Sequence, residues 1–225
     1  MKIKILLFLN IIFIGQVNAD CSYGGLWPYP NNGTIKQNTW IVLTGYAHSQ
    51  KTIDSISTGH IIYLTSNFDT VPLKVISIHK GMYQLTQAIL APEIALKVGT
   101  TFSLKLDYSK DYHAASILNW NSKTNKYEPA SWTVEAGLDT IPPQLLSPPK
   151  LINKRFLEYG CGPAVFADFQ YEAIDHSQLL IKSQLVNLHS GDTNTYYVPE
   201  KATDTLSIGH DMCSGAFEFK GDVKY

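Results

Sequence analysis

The stretch Thr101-Phe102-Ser103-Leu104-Lys105-Leu106-Asp107-Tyr108 decides the fold class of this 225-residue chain. Apolar and polar side chains alternate along it without a break, and the apolar ones are Phe102, Leu104, Leu106 and Tyr108. A strand with this alternation buries one face and exposes the other to water, which is typical of the antiparallel sheets of a β-sandwich. The stretch therefore predicts one strand of such a sandwich.

Shorter apolar or alternating runs recur on both sides of this stretch. They lie at residues 40–43, 60–64, 71–78, 83–90, 131–134, 161–171, 179–188, 195–198, 205–208 and 216–219. Turn-forming residues such as Asn31-Asn32-Gly33 and Val98-Gly99 separate several of these runs. No run carries three turns of helical periodicity, so the many short strands predict an all-β fold.

A proline-rich segment divides the chain into two parts. Asp139-Thr140-Ile141-Pro142-Pro143 is followed by Pro148 and Pro149. Because proline cannot donate a hydrogen bond to a neighbouring strand, the segment predicts a linker that leads into an edge strand. We therefore expect two tandem antiparallel β-sandwich domains, at residues 22–137 and 138–225.

Residues 1–19 have the features of a secretory signal peptide. Lys2 and Lys4 give a positive start, a largely apolar run follows, and Val17-Asn18-Ala19 fits a cleavage site. The apolar run is too short to span a bilayer, which needs about 20 residues. A short signal on a chain rich in Lys, Asn and Ile is typical of a bacterial gene. We expect a secreted, periplasmic or cell-surface protein that has no transmembrane segment after cleavage.

The charge balance excludes one class of partner. The formal net charge of the whole chain is −1, and the loss of Lys2 and Lys4 makes the mature value −3. Nucleic-acid binding needs a clear excess of basic groups to attract the phosphates. No nucleic-acid partner is therefore predicted.

Three cysteines follow the signal: Cys21, Cys161 and Cys213. In an oxidising compartment they allow one disulfide and leave one thiol over. Cys161 and Cys213 lie in the same half of the chain beside apolar strand-like runs, whose faces would meet in the core of a sandwich. We predict a Cys161–Cys213 disulfide, with Cys21 as a free or intermolecular thiol.

Several short motifs resemble those of a known family. Leu90-Ala91-Pro92, Gly99-Thr100 and Phe102-Ser103-Leu104 give a proline turn, a Gly-Thr turn and an aromatic-led strand. Together with residues 30–43 they resemble bacterial Ig-like domains of the S-layer type, over about residues 22–108. The resemblance implies an Ig-like sandwich with Gly99 in a tight turn.

The second half is less similar to that family. Trp132-Thr133-Val134, followed by Asp139, resembles the connection between tandem Ig-like or fibronectin-III-like modules. This resemblance implies a second, short Ig-like or fibronectin-III-like sandwich after residue 137.

A second resemblance suggests an enzyme. Tyr159-Gly160-Cys161-Gly162-Pro163-Ala164 is similar to the nucleophile segment of some bacterial cysteine peptidases. It implies a Cys161 nucleophile at the start of a helix, with His210 or His189 as the base that lowers the thiol pKa. The aromatic and β-branched residues 165–171 favour a strand there instead.

Aromatic residues in predicted loops are the remaining binding candidates. They are Trp27, Tyr29, Tyr112, Trp120, Tyr127, Tyr196 and Tyr197. Large rigid rings of this kind can stack on sugars or anchor protein partners, and they can also cap the ends of a sandwich. The seven histidines show no zinc-binding spacing, and neither a metal nor a cofactor is predicted.

These observations favour a secreted, non-catalytic Ig-like protein. It would act in adhesion, in surface architecture or in accessory ligand binding, with an extracellular or cell-surface protein or a glycan as the partner. The alternative is a secreted cysteine hydrolase that uses Cys161 with His210 or His189.

Overall fold

A computed structural model describes residues 21, 24–56, 58–59, 61–107, 117–121, 124–200 and 204–219. Within these ranges the chain is mostly β, as the alternation of residues 101–108 predicts. No helix in the described part of the chain is long and apolar enough to cross a membrane.

Ten strands lie before the proline-rich segment. They are β1 (Gly25–Tyr29), β2 (Gly33–Ile35), β3 (Ile41–Tyr46), β4 (Ile62–Thr65), β5 (Thr70–Lys80), β6 (Leu85–Pro92), β7 (Thr101–Leu106), β8 (Leu118–Asn121), β9 (Lys126–Pro129) and β10 (Ser131–Val134). Eight of them form a sheet in the order β1-β3-β6-β5-β4-β7-β10-β2, and β8 and β9 form a separate hairpin.

The eleven-residue strand β5 belongs to both halves of the large sheet. Its first residues pair with β4 and its later residues pair with β6, with a register shift between Val75 and Ser77. The two halves thus enclose one apolar core, in which Ile41 and Leu90 of one half pack with Phe102 and Trp132 of the other. These are all almost fully buried, so they anchor the first sandwich.

The first sandwich confirms the pattern from which the fold class was predicted. Phe102, Leu104 and Leu106 are buried along β7, whereas Tyr108 lies outside the described residues. Gly99 adopts a φ of +75° in the turn before β7, a conformation that costs glycine little and other residues more. One detail differs from a purely antiparallel sandwich, because β2 pairs with β10 in parallel.

A short helix interrupts the strands. A 3₁₀ turn (Ala47–Ser49) leads into α1 (Gln50–Ile56), which buries Ile53 and Ile56 against the core. Gly45 makes this close packing possible, because a side chain there would overlap the Ser49 carbonyl and the Ile53 side chain. Seven residues are too few to show helical periodicity, so the sequence did not predict α1.

Five strands follow the proline-rich segment. They are β11 (Gln144–Tyr159), β12 (Gly162–Ile174), β13 (Leu180–Val186), β14 (Thr193–Pro199) and β15 (Thr205–His210). β11, β12 and β15 form an antiparallel sheet in that order, and β13 pairs with β14. A small core centred on Tyr171, Leu179 and Leu206 lies between these two sheets. Among the described residues, no strand of these two sheets pairs with a strand before residue 135. The predicted division into domains between residues 137 and 138 stays a prediction.

The predicted Cys161–Cys213 disulfide is wrong. Cys213 is joined to Cys21, with the two Cα atoms 5.5 Å apart, and Cys161 lies in the turn between β11 and β12. The reason is the course of the chain after β15. Gly215 exchanges backbone hydrogen bonds with Tyr83 in the loop between β5 and β6, which brings Cys213 close to Cys21.

We expect the Cys21–Cys213 disulfide to hold the segment after β15 against the first sandwich. It closes a loop with a sequence separation of 192 residues. In the chain-entropy model such a loop contributes about 5 kcal/mol to stability. Cys213→Ser should therefore lower the free energy of urea unfolding by up to about 5 kcal/mol. Non-reducing peptide mapping should recover the Cys21 and Cys213 peptides as one species. Recovery of a Cys161–Cys213 pair would contradict the structure, and Cys161→Ser is the control.

Candidate functional site

β11 is an edge strand that is unusually exposed. Among the described strands it has one neighbour, β12, and fifteen of its sixteen residues are exposed, the half-buried Arg155 being the exception. Large apolar side chains are exposed along it at Leu145, Leu146, Leu151, Ile152, Phe156 and Leu157. Proteins usually protect such an edge, because its unpaired backbone groups can pair with another chain. An apolar edge of this length is therefore the first candidate for a binding surface.

The two halves of β11 differ in how well the edge is protected. Pro148 and Pro149 and three irregularities of the β11–β12 register fall within residues 144–153, and both features discourage pairing. From Asn153 to Tyr159 the pairing with β12 is regular, from Asp168 back to Gly162. The run from Asn153 to Tyr159, here called the bare edge, is thus the part of β11 that can accept another strand.

An apolar groove lies beside the bare edge. It has a volume of about 800 Å³ between the β11–β12–β15 sheet and β13. Its apolar lining includes Phe156, Val165, Phe169, Ile181, Leu185 and Ile208. Phe156 is 67% exposed, so a large ring at the mouth of the groove has no cover. The small core between the two sheets therefore continues outward as an open apolar surface.

An ion pair fixes β11 to β12 next to the groove. Arg155 donates from Nε to Asp168 Oδ2 at 2.6 Å and from Nη2 to Asp168 Oδ1 at 2.9 Å. The guanidinium also lies 4.6 Å from the centre of the Phe166 ring. The hydrogen bonds to Asp168 raise the pKa of Arg155. This bidentate geometry holds the bare edge in one position, as a binding strand requires.

Two further charges lie on the bare edge itself. Lys154 lines the groove. Glu158 follows four residues later in β11, so both side chains are on the same face of the strand. Neither side chain forms an ion pair within the described part of the chain. Both charges are therefore available to a partner.

The predicted binding aromatics differ in how far the structure buries them. Tyr29 and Tyr196 are buried, which contradicts their prediction as exposed binding residues. Tyr29 donates a hydrogen bond to the Leu179 carbonyl at 2.7 Å, and burial raises the pKa of both tyrosines. Tyr197 is half-buried with its ring against His79. All three lie where the β13–β14 hairpin packs on the first sandwich.

The other predicted aromatics stay accessible where the structure describes them. Trp27 is 46% exposed and stacks on Tyr46. Trp120 and Tyr127 are exposed and pack edge to face across the β8–β9 hairpin, with ring centres 5.1 Å apart. Tyr112 lies outside the described residues.

The residues named for the alternative hydrolase lie in three different local structures. Cys161 is in a β-hairpin turn, so the expected helix start that would lower its thiol pKa is not there. His210 is buried, with Nδ1 2.8 Å from the Asp211 carbonyl oxygen and its ring against Tyr83. His189 lies in the exposed turn between β13 and β14. No group of three or more potential metal ligands occurs among the described residues.

Comparisons with known proteins leave the family open. No family model matches the chain, and no curated protein matches it. Two solved structures are similar. A pullulanase complexed with maltotriose from Anoxybacillus sp. LM18-11 has 9% identity and a TM-score of 0.27, covering 84% of this chain and 22% of the pullulanase. The Yersinia pseudotuberculosis adhesin InvE has 15% identity and a TM-score of 0.25, covering 85% and 52%. The chain thus spans about a fifth and about half of these two proteins, and neither likeness carries an argument about function.

The bare edge and the groove were not predicted from the sequence, although a signal is present. Leu145-Leu146, Leu151-Ile152 and Phe156-Leu157 are pairs of adjacent apolar residues. In a strand such pairs place apolar side chains on both faces at once. A strand with two apolar faces is stable in water only when other residues pack on both faces. Few residues pack on either face of β11, because most of its side chains are exposed.

The hairpin that forms one wall of the groove is attached by Gln87. Its buried side chain accepts a hydrogen bond from the Tyr197 backbone N–H at 3.1 Å and donates one to the Tyr197 carbonyl at 2.9 Å. Gln87→Met keeps the length of the side chain and leaves both backbone groups unpaired. We expect a loss of about 2–4 kcal/mol in the free energy of urea unfolding.

The matched control for Gln87 is Gln184→Met. Gln184 is exposed and bonds to the Thr195 hydroxyl, so this change should cost less than about 0.5 kcal/mol. Equal effects of the two substitutions would show that Gln87 does not hold the hairpin.

His79 should make the same contact sensitive to pH. Burial and the nearby Lys182 charge lower the pKa of His79 below the ordinary value of 6.5. The unfolded chain therefore binds the proton more readily than the folded chain, so the stability is complete above about pH 6.5 and falls as the pH drops below it. His79→Gln should flatten this fall, measured as the free energy of unfolding against pH, with His189→Gln as the control. An unchanged slope would contradict the role of His79.

Proposed function

We propose that this chain is a secreted, non-catalytic protein of tandem Ig-like β-sandwiches that acts in adhesion or surface architecture. Its binding surface is the bare edge of β11 together with the apolar groove, and its partner is a cell-surface or extracellular protein. The observation that carries the proposal is the long edge strand with apolar side chains on both faces. An edge of this kind binds by β-strand addition, in which backbone hydrogen bonds give affinity and side-chain pockets give specificity.

Two other observations support the setting of this proposal. A disulfide such as Cys21–Cys213 persists in oxidising compartments, which fits an exported protein. The described strands form several mainly antiparallel sheets around apolar cores, which fits Ig-like modules. The secretion signal at residues 1–19 is the remaining support.

The alternative cysteine hydrolase has less support, because the helix start expected at Cys161 is a hairpin turn. A catalytic thiol needs a nearby base and a setting that favours the thiolate. Cys161 lies in a hairpin turn, and the ring of His210 packs against Tyr83. Cys161→Ser should accordingly leave binding to the partner unchanged, and rapid alkylation of Cys161 in the native protein would favour the hydrolase.

Adhesion can be tested with beads coated with the mature protein and mixed with the cells that export it. Wild-type beads should bind to the cells. Phe156→Ser removes the exposed ring at the mouth of the groove and should reduce bead binding about tenfold or more. The control is Phe68→Ser, because Phe68 is 87% exposed in the turn between β4 and β5. If Phe156→Ser binds as well as the wild type, the assigned surface is wrong.

A further inference from the structure

The bare edge of β11 is complementary to itself. A closed two-fold pair of identical antiparallel strands within one sheet places one residue opposite its own copy. With Phe156 at that position, Lys154 of each chain lies opposite Glu158 of the other. Arg155 then faces Leu157, and Asn153 faces Tyr159. The seven residues from Asn153 to Tyr159 are thereby paired from end to end.

Charge selects this register over its neighbours. Centring the pair on Lys154 would place two ammonium groups face to face, and centring it on Glu158 would place two carboxylates face to face. Like charges directly opposite each other destabilise a strand pair, and opposite charges stabilise it. The register centred on Phe156 gives two Lys154–Glu158 pairs, and these are the two charges of the bare edge that form no ion pair within the described chain.

The same register covers the apolar ring at the mouth of the groove. Lys154, Phe156 and Glu158 share one face of β11, and the side chains of Lys154 and Phe156 line the groove. Each Phe156 would therefore lie beside the Phe156 of the second copy. Aromatic cross-strand pairs of this kind stabilise a sheet.

We infer that a second copy of this chain binds to the bare edge, with the two β11 strands antiparallel about Phe156. The result is one six-stranded sheet in the order β15-β12-β11-β11-β12-β15. This inference rests on the proposed function, because it names the partner of the surface assigned there. A pair of short strands is a small interface, so the dimer should be reversible and concentration-dependent.

The test is sedimentation velocity of the disulfide-bonded mature chain across roughly a hundredfold range of concentration. The wild type should pass from monomer to dimer. Lys154→Glu and Glu158→Lys should each weaken the dimer about tenfold or more, because each places like charges opposite each other. The double variant restores opposite charges and should restore the dimer. Lys150→Glu makes the same charge change outside the bare edge and should leave the dimer intact.

A cysteine at the centre of the pair tests the register without depending on charge. In a Cys161→Ser background, Phe156→Cys should form a disulfide-linked dimer on mild oxidation, because directly opposite residues have Cα atoms about 5 Å apart. Ile152→Cys lies at another exposed position of β11 and should not, since residue 152 would not face its own copy. A monomer at every concentration, a dimer that ignores both charge reversals, or equal cross-linking at the two positions would overturn the inference.

The two proposals can fail separately. A monomeric chain whose Phe156→Ser variant still loses cell binding would overturn the self-pairing and leave the proposed function standing, with a different protein on the same edge. A dimer with the predicted register that shows no binding to cells would overturn the proposed function.

Discussion

The attachment of the β13–β14 hairpin to the first sandwich is the constraint on which the binding surface depends. Gln87 bonds both backbone groups of Tyr197, and Tyr29 donates to the Leu179 carbonyl. These are buried polar contacts, so breaking either leaves unpaired groups out of reach of water. Because one face of the hairpin is held in this way, the hairpin covers only part of the β11–β12–β15 sheet. The groove stays open for the same reason.

The segment after β15 completes this arrangement. Gly215 bonds to Tyr83, Phe217 is fully buried, and Cys213 is joined to Cys21. The last described residues therefore pack on the first sandwich, and Phe219 also lines the groove beside the second core. The Cys21–Cys213 disulfide joins the segment after β15 to the residue four positions before β1, where a disulfide within the second half would have stabilised that half alone. Breaking the contact at Gln87 should thus lower the stability of both halves of the molecule.

The sequence predicted those features that depend on local pattern. The alternation of Phe102 and Leu104 gave the strand β7 and the all-β class, and Gly99 lies in the turn where it was expected. The disulfide pairing depends on which distant segments pack together, and so does the burial of Tyr29 and Tyr196. Neither the spacing of residues nor their periodicity contains that information. Cys161 and Cys213 both flank apolar strands, yet the course of the chain after His210 separates them. The sequence predicted an edge strand after the linker but not that this strand includes Pro148 and Pro149. Prolines favour a linker, yet they are tolerated within a strand at the edge of a sheet.

The far side of the small sheet decides what kind of assembly the bare edge can form. β15 is the other edge strand, and an open edge on both sides would let copies add without limit. The segment from Asp211 to Phe219 covers one end of this edge, because Gly215 bridges His210 and the Phe217 N–H donates to the Gly209 carbonyl. Gly209 cannot be replaced here, since a side chain would overlap the Val165 carbonyl across the sheet. With this end of β15 covered and the prolines disrupting the first half of β11, the bare edge is the longer regular run of open edge among the described residues of this sheet. The geometry therefore favours a closed pair over a fibre.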